Sequence, residues 1–131
     1  MATLKMYSDG FDGFEARAMA HARALDRGSD LLDENSITFN SAEEMFATIT
    51  PKRIALLRVL ASDGPRSVTM LSKKLNRTRE AVMRDLRELR KIGAVKTAFI
   101  RAKDNSRILI AKPLATRYEF ASSIDVHQTA A

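Results

Sequence analysis

The chain has 131 residues, which fits one domain of ordinary size with appendages but not two typical domains. Hydrophobic residues make up 45% and charged residues 29%, the balance of a soluble globular protein rather than a disordered chain. The chain contains no cysteine, which excludes disulfides, a thiolate nucleophile and a cysteine zinc site. No apolar run approaches the roughly 18 residues needed to cross a bilayer, so we expect a cytoplasmic protein without a membrane segment.

The formal net charge of +6 is unevenly distributed. Residues 1–35 carry a net charge of −3, residues 36–113 carry +10 and residues 114–131 carry −1. The basic middle segment indicates a polyanionic partner such as nucleic acid, because phosphate contacts release counterions. A solvated basic surface that only aids solubility is the alternative that charge alone leaves open.

The N-terminal segment predicts a helical arm. Residues 1–10 have little pattern, so we expect them to be frayed or engaged only with a partner. Apolar residues recur at three- and four-residue steps over residues 11–27, which predicts an amphipathic helix that stops at Gly28. An acidic connector, residues 28–35, follows it.

The basic middle segment begins with a strand and two helices. β-Branched and aromatic residues alternate over residues 36–40, which predicts one short strand. Ser41 and Glu44 have capping-box spacing, so a short helix begins there and ends before Pro51. Thr50 can cap the next helix, with Pro51 at its first position.

Two more helices follow in close succession. Ser67 begins a helix with apolar residues on its inner face, and this helix closes at Asn76. Thr78 can cap a longer helix over residues 79–92, and Gly93 stands where a left-handed C-terminal residue is needed.

A hairpin completes the basic segment. Residues 94–102 and 107–112 are strand-like and are separated by the polar turn of residues 103–106. We expect the Ile108 and Ile110 side of the second strand to face the core.

The order helix, short helix, turn, longer basic helix and hairpin predicts a winged helix-turn-helix. The predicted fold is mainly α with a small β component (α+β), with an N-terminal helical arm. We divide the chain into an arm with its connector (1–35), a winged helix-turn-helix DNA-binding domain (36–113) and a partly disordered C-terminal extension (114–131). The extension holds a strand or short helix around Tyr118 and Phe120.

The phase of the longer basic helix identifies its outward face. Val82, Leu86 and Leu89 form one stripe that must face the core, so the opposite side is free for DNA. The candidate DNA-binding residues on this helix, before it and on the wing are Lys73, Arg77, Thr78, Arg79, Met83, Arg84, Arg87, Lys91, Arg101, Lys103, Asn105 and Arg107.

An ion-paired solvent face is the alternative for this helix. Arg84, Arg87 and Lys91 stand at helical spacing from three acidic residues, Glu80, Asp85 and Glu88. We favour the DNA surface because basic residues of the preceding helix, the turn and the wing would cluster on the same side.

Catalysis has little support in the sequence. The two histidines, His21 and His127, lie in the arm and the tail without a nearby partner in sequence. No phosphate-binding loop, zinc-protease motif or nucleophile elbow is present. We therefore expect no enzymatic activity, no cofactor and no metal.

Several segments, taken together in order, resemble the small prokaryotic winged-helix regulators loosely called MarR-like. The matching segments are Ser36-Ile-Thr-Phe39, Thr50-Pro-Lys-Arg-Ile-Ala-Leu-Leu57, Ser67-Val-Thr-Met-Leu-Ser-Lys-Lys-Leu75, Arg77, Val82, Arg84-Asp85-Leu86, Leu89 and Gly93-Ala94-Val95. The resemblance covers about residues 36–112 and implies a transcriptional regulator. Because such regulators often act as the antitoxin and autorepressor of a toxin–antitoxin operon, it also implies a protein toxin as a partner.

The arm suggests a docking helix. Its candidate contact residues are Phe11, Phe14, Met19 and Leu25. They could pack on a second copy, giving a homodimer that reads a palindromic operator. They could instead fold back on their own module or occupy a toxin's groove.

The leading functional hypothesis is a sequence-specific regulator of double-stranded DNA, a dimeric repressor of its own operon that also serves as an antitoxin. The alternative is a protein-interaction module that uses the winged helix as a scaffold without specific DNA binding. RNA binding fits less well, because aromatic residues make up 6% of the chain and none lies in the longer basic helix.

Overall fold

The computed structural model describes residues 2–28 and 35–123. Its elements in chain order are β1 (Thr3–Tyr7), α1 (Gly10–Asp26), β2 (Asn35–Thr38), α2 (Ala42–Thr48), α3 (Pro51–Asp63), β3 (Arg66–Ser67), α4 (Val68–Leu75), α5 (Arg79–Lys91), β4 (Val95–Arg101), β5 (Arg107–Pro113) and β6 (Arg117–Ala121). Most of the acidic connector, residues 29–34, and most of the tail with His127 lie outside the described residues.

Elements α3 to β5 form a winged helix, which confirms the predicted fold class. The strands pair antiparallel in the order β3-β5-β4, and α4 and α5 form the helix-turn-helix. The predicted caps are in place: Thr50, Ser67 and Thr78 each accept a hydrogen bond from a backbone N–H in the first turn of α3, α4 and α5. Asn76 ends α4 in the left-handed conformation.

The core side of β5 differs from the prediction. Ala111 is fully buried and Leu109 packs against the core, whereas Ile108 and Ile110 are half-buried on the other side of the strand. The expectation that the two isoleucines face the core was therefore wrong by one residue. Because side chains alternate between the two faces of a strand, a shift of one residue moves each of them to the opposite face.

A second sheet was not predicted from the N-terminal sequence. Strands β2, β1 and β6 pair in parallel in that order, with Met6 of β1 beside Ile37 and Phe120. The expectation that residues 1–10 are frayed was therefore wrong. Leu4 and Met6 are buried in the same core as the winged helix, which is why the strand is held in place.

Helix α1 connects β1 to the edge strand β2, and strands from all three predicted segments meet in this sheet. The helix matches the predicted span, yet none of its side chains is buried.

Strand β6 confirms an element around Tyr118. Within the described part of the chain, no helix is long and apolar enough to cross a membrane.

Candidate nucleic-acid interface

Helix α5 presents the predicted face to the outside. Val82, Leu86 and Leu89 are buried in the core. The predicted contact residues of this helix are all exposed: Arg79, Met83, Arg84, Arg87 and Lys91. The helix therefore offers a long basic surface of side chains that are free to reach a groove.

The exposed arginines of α5 are not neutralised by the acidic residues of the same helix. Among the described residues, Arg79, Arg84 and Arg87 have no ion-pair partner. The ion-paired alternative holds for Lys91, whose Nζ lies 3.1 Å from Glu88 Oε1.

The Asp85 side chain points into the protein and does not contribute to the outer surface of α5. Its side chain is 6% exposed, and its Oδ1 accepts a hydrogen bond from Arg53 Nε at 3.1 Å. Arg53 also donates to the Thr48 carbonyl oxygen at 2.8 Å, so one guanidinium joins α2, α3 and α5. The sequence pattern predicts Asp85 as a surface partner of the arginines, and the structure places it inside. Its position three residues after Val82, on the core stripe, was the signal for this inward side chain.

Arg77 occupies the other side of the same carboxylate. Its Nη1 lies 2.7 Å from Asp85 Oδ2, without the alignment of a hydrogen bond, and its side chain is 14% exposed. The backbone N–H of Arg77 donates to the Ser72 carbonyl oxygen, which ties the turn to α4. The structure thus places this predicted contact residue on the interior Asp85, where it orients α5 against the turn.

The residues that lead into α5 remain accessible. Thr78 Oγ1 accepts a hydrogen bond from Ala81 N at 3.1 Å, and the side chain is exposed at the helix N-terminus. Lys73 is exposed at the end of α4. Lys74 instead forms an ion pair with Asp63, and this hydrogen bond lowers the pKa of the Asp63 carboxyl.

The wing carries an organised basic tip. Arg101 Nη1 donates to Asn105 Oδ1 at 2.8 Å, and Asn105 adopts a left-handed φ of 68° that closes the turn. The Arg107 guanidinium lies 4.0 Å from the centre of the Phe99 ring, in a cation–π contact. Lys103 is exposed between these pairs.

A groove joins the wing to α5. It has a volume of about 330 Å³. Its lining includes Met83, Arg87, Arg90, Thr97, Phe99 and Leu109. Arg90 Nη1 donates to Thr97 Oγ1 at 3.3 Å and bridges the two walls. Met83 and Arg87 of α5 thus line this groove together with Phe99 of the wing, whose ring contacts Arg107, whereas Arg77 lies on the interior Asp85.

The predicted contact residues of the arm lie on α1. Phe11, Phe14, Met19 and Leu25 are all exposed, with exposed fractions between 49% and 69%. In the described residues, no cluster of histidine and carboxylate side chains could hold a metal ion.

A family model described as HVO_A0114 matches residues 48–107, from the last residue of α2 to the first of β5. No curated protein matches the sequence.

Solved structures of regulators are similar to parts of the chain. A possible transcriptional regulator from Methanosarcina mazei Go1 is 15% identical over 55% of this chain and 67% of its own, with a TM-score of 0.47. A MepR-like protein complexed with pseudoligands is 18% identical over 79% and 63%, with a TM-score of 0.44. A mutant of ZitR from Lactococcus lactis is 22% identical over 78% and 61%, with a TM-score of 0.43. The chain therefore spans about three fifths to two thirds of their lengths.

Proposed function

We propose that this chain is a sequence-specific DNA-binding transcriptional regulator that inserts α5 into the major groove of double-stranded DNA. The observation that carries the proposal is the row of exposed arginines on α5, Arg79, Arg84 and Arg87, which lack ion-pair partners among the described residues. Arginine donates two parallel hydrogen bonds to guanine O6 and N7 or pairs with phosphate, so such a row suits base reading and backbone contact alike.

The burial of Asp85 makes this face more basic than the sequence of α5 suggests. Of the three acidic residues of the helix, Asp85 is paired inside and Glu88 is paired with Lys91. Glu80 alone remains exposed without an ion-pair partner among the described residues, and it lies in the first turn, where the helix dipole favours it. The outward side chains toward the middle of α5 are therefore cationic or apolar.

The wing supplies a second contact. Its tip carries Arg101, Lys103 and Arg107, and a wing beside a recognition helix reaches the DNA backbone or the adjacent minor groove. Met83 and Phe99 line the groove between wing and helix and can contact thymine methyl groups or sugars.

We further propose that the protein represses its own operon as a dimer. The antitoxin role rests on the family resemblance alone, since no contact of the described residues favours a toxin over another protein, and it stays a prediction.

Fluorescence anisotropy over a salt series tests the DNA proposal. The protein is titrated into labelled DNA from upstream of its own gene and into a scrambled fragment of equal length. We expect tighter binding to the upstream DNA that survives moderate salt. Equal, salt-labile binding to both fragments would overturn sequence-specific regulation and leave the interaction-scaffold alternative.

Matched variants locate the contact surface. Arg84→Ala and Arg87→Ala should each weaken binding to the upstream DNA by about 1–3 kcal/mol, roughly 5- to 150-fold. Arg58→Ala is the control, because Arg58 is also an exposed arginine but lies on α3. Unchanged affinity in both α5 variants would remove α5 as the reading helix.

A further inference from the structure

Helix α1 has an apolar stripe that the described residues, 2–28 and 35–123, leave uncovered. The helix is 17 residues long and has no buried residue. It meets the sheet through Arg17, which donates to Thr38 Oγ1 at 2.9 Å and lies over the Tyr7 ring. Isolated helices of this length are marginal in water and take most of their stability from packing of an apolar face.

The apolar stripe follows a seven-residue repeat. Phe11, Ala18 and Leu25 recur every seven residues, with Phe14 and Ala22 between them. The Phe11 and Phe14 rings lie together with their centres 6.4 Å apart, and Phe11 is 69% exposed. The stripe therefore has bulky residues at its ends and alanines at its centre.

A groove of about 400 Å³ runs along the stripe. One wall is formed by the stripe residues Phe14, Ala18, Ala22 and Leu25, and the other includes Ser36 of the edge strand β2. The exposed aromatic side chains of a neighbouring helix could enter this groove.

We propose that the occupant is α1 of a second copy of this chain, packed antiparallel with Ala18 on the two-fold axis. Counting outward from Ala18, Phe14 lies opposite the partner's Ala22, and Phe11 lies opposite the partner's Leu25. Large residues then meet small or aliphatic ones, and the central alanines let the two backbones approach closely.

The polar residues beside the stripe fit the same register. Glu15 lies opposite the partner's His21, so the Glu15 carboxylate can accept a hydrogen bond from the N–H of the partner's imidazole. The two-fold axis repeats this pair. A parallel pair would instead place Glu15 beside the partner's Glu15, where like charges repel. The antiparallel dimer joins two winged-helix modules and does not depend on DNA binding.

The absence of cysteine allows a direct test of this register. In the full-length protein, Ala18→Cys places a thiol on the proposed axis and Ala16→Cys places one on the other side of the same helix, and both alanines are exposed. Under mild oxidation we expect the Ala18→Cys variant to form a disulfide-linked dimer and the Ala16→Cys variant to remain uncrosslinked. Equal crosslinking of the two variants, or crosslinking of Ala16→Cys alone, would overturn the register.

Light scattering of the same protein measures the oligomeric state. The wild type should be a dimer, and Glu15→Lys or His21→Glu alone should weaken it by roughly tenfold, because each removes the hydrogen-bonded pair on both sides of the axis. The two substitutions together should restore the dimer, because they place a lysine opposite a glutamate. Circular dichroism confirms that each variant is folded. A monomeric wild type, or a dimer that none of these substitutions affects, would overturn the proposal, whether or not the protein binds DNA.

Discussion

Arg53 at the start of α3 and Asp85 in the middle of α5 form an ion pair inside the protein, with 3.1 Å between Arg53 Nε and Asp85 Oδ1. The pair joins the helix that begins the winged-helix module to the helix proposed to read DNA. Arg77 lies against the other carboxylate oxygen, so the carboxylate fixes α5 to two other parts of the module.

The first prediction concerns this carboxylate. Asp85→Ala should lower the free energy of unfolding by about 3–5 kcal/mol, because it leaves two largely buried guanidinium groups, 16% and 14% exposed, without their counter-charge. Urea unfolding followed by circular dichroism measures the change. Glu88→Ala, which removes the exposed pair with Lys91, is the control and should change stability by less than about 1 kcal/mol. Equal small effects of the two substitutions would contradict a structural role for Asp85.

The second prediction separates a positioning arginine from a DNA-contacting one. Arg77→Ala should lower stability, whereas Arg84→Ala should not, because the Arg84 side chain is exposed and the Arg77 side chain lies on Asp85. At a temperature where both variants are folded, Arg84→Ala should reduce the slope of log affinity against log salt by about 1, and Arg77→Ala should leave it unchanged. A reduced slope in Arg77→Ala would instead assign Arg77 to a phosphate.

Local signals made the winged helix predictable. Thr50 with Pro51, and Thr78 with the stripe that starts at Val82, specify helix starts within a few neighbouring residues. The outward face of α5 followed from the same phase, because a helix with one apolar stripe has one free side.

Features that depend on distant parts of the chain were missed. Strand β1 pairs with β6, where Thr3 lies beside Arg117. The five residues of β1 alternate in burial, but this local pattern does not show which distant strand is their partner. Strand β3 has two residues and no pattern of its own. The pairing of Arg77 with Asp85 could be predicted only by knowing that the turn before α5 folds over the inner side of this helix.

The third prediction concerns the anchor of β6. The Tyr118 hydroxyl donates to the carbonyl oxygen of Ala94 at 3.0 Å, which ties the parallel sheet to the start of the wing. Tyr118→Phe should lower the free energy of unfolding by about 1 kcal/mol near neutral pH.

The alkaline behaviour of Tyr118 provides a check. Burial raises the pKa of the Tyr118 hydroxyl above its ordinary value of 10.0. Its contribution to stability is therefore complete below pH 10 and is lost as the pH rises through the raised pKa. Unfolding midpoints measured in urea should show the wild type losing its advantage over Tyr118→Phe above about pH 10. A constant difference across that range would contradict the prediction.

The fourth prediction concerns the attachment of α1. Arg17 Nη1 donates to Asp9 Oδ2 at 2.6 Å, and this hydrogen bond lowers the pKa of the Asp9 carboxyl below its ordinary value of 3.8. A lowered pKa contributes stability that is present above the ordinary value and is lost as the pH falls through the lowered one. Asp9→Asn should therefore be less stable than the wild type at pH 6, and the difference should shrink below pH 4. Urea unfolding across this range measures it, with Asp12→Asn as the control, since Asp12 is exposed on the same helix. If both variants lost stability equally at pH 6, the Arg17–Asp9 pair would not be what stabilises the start of α1.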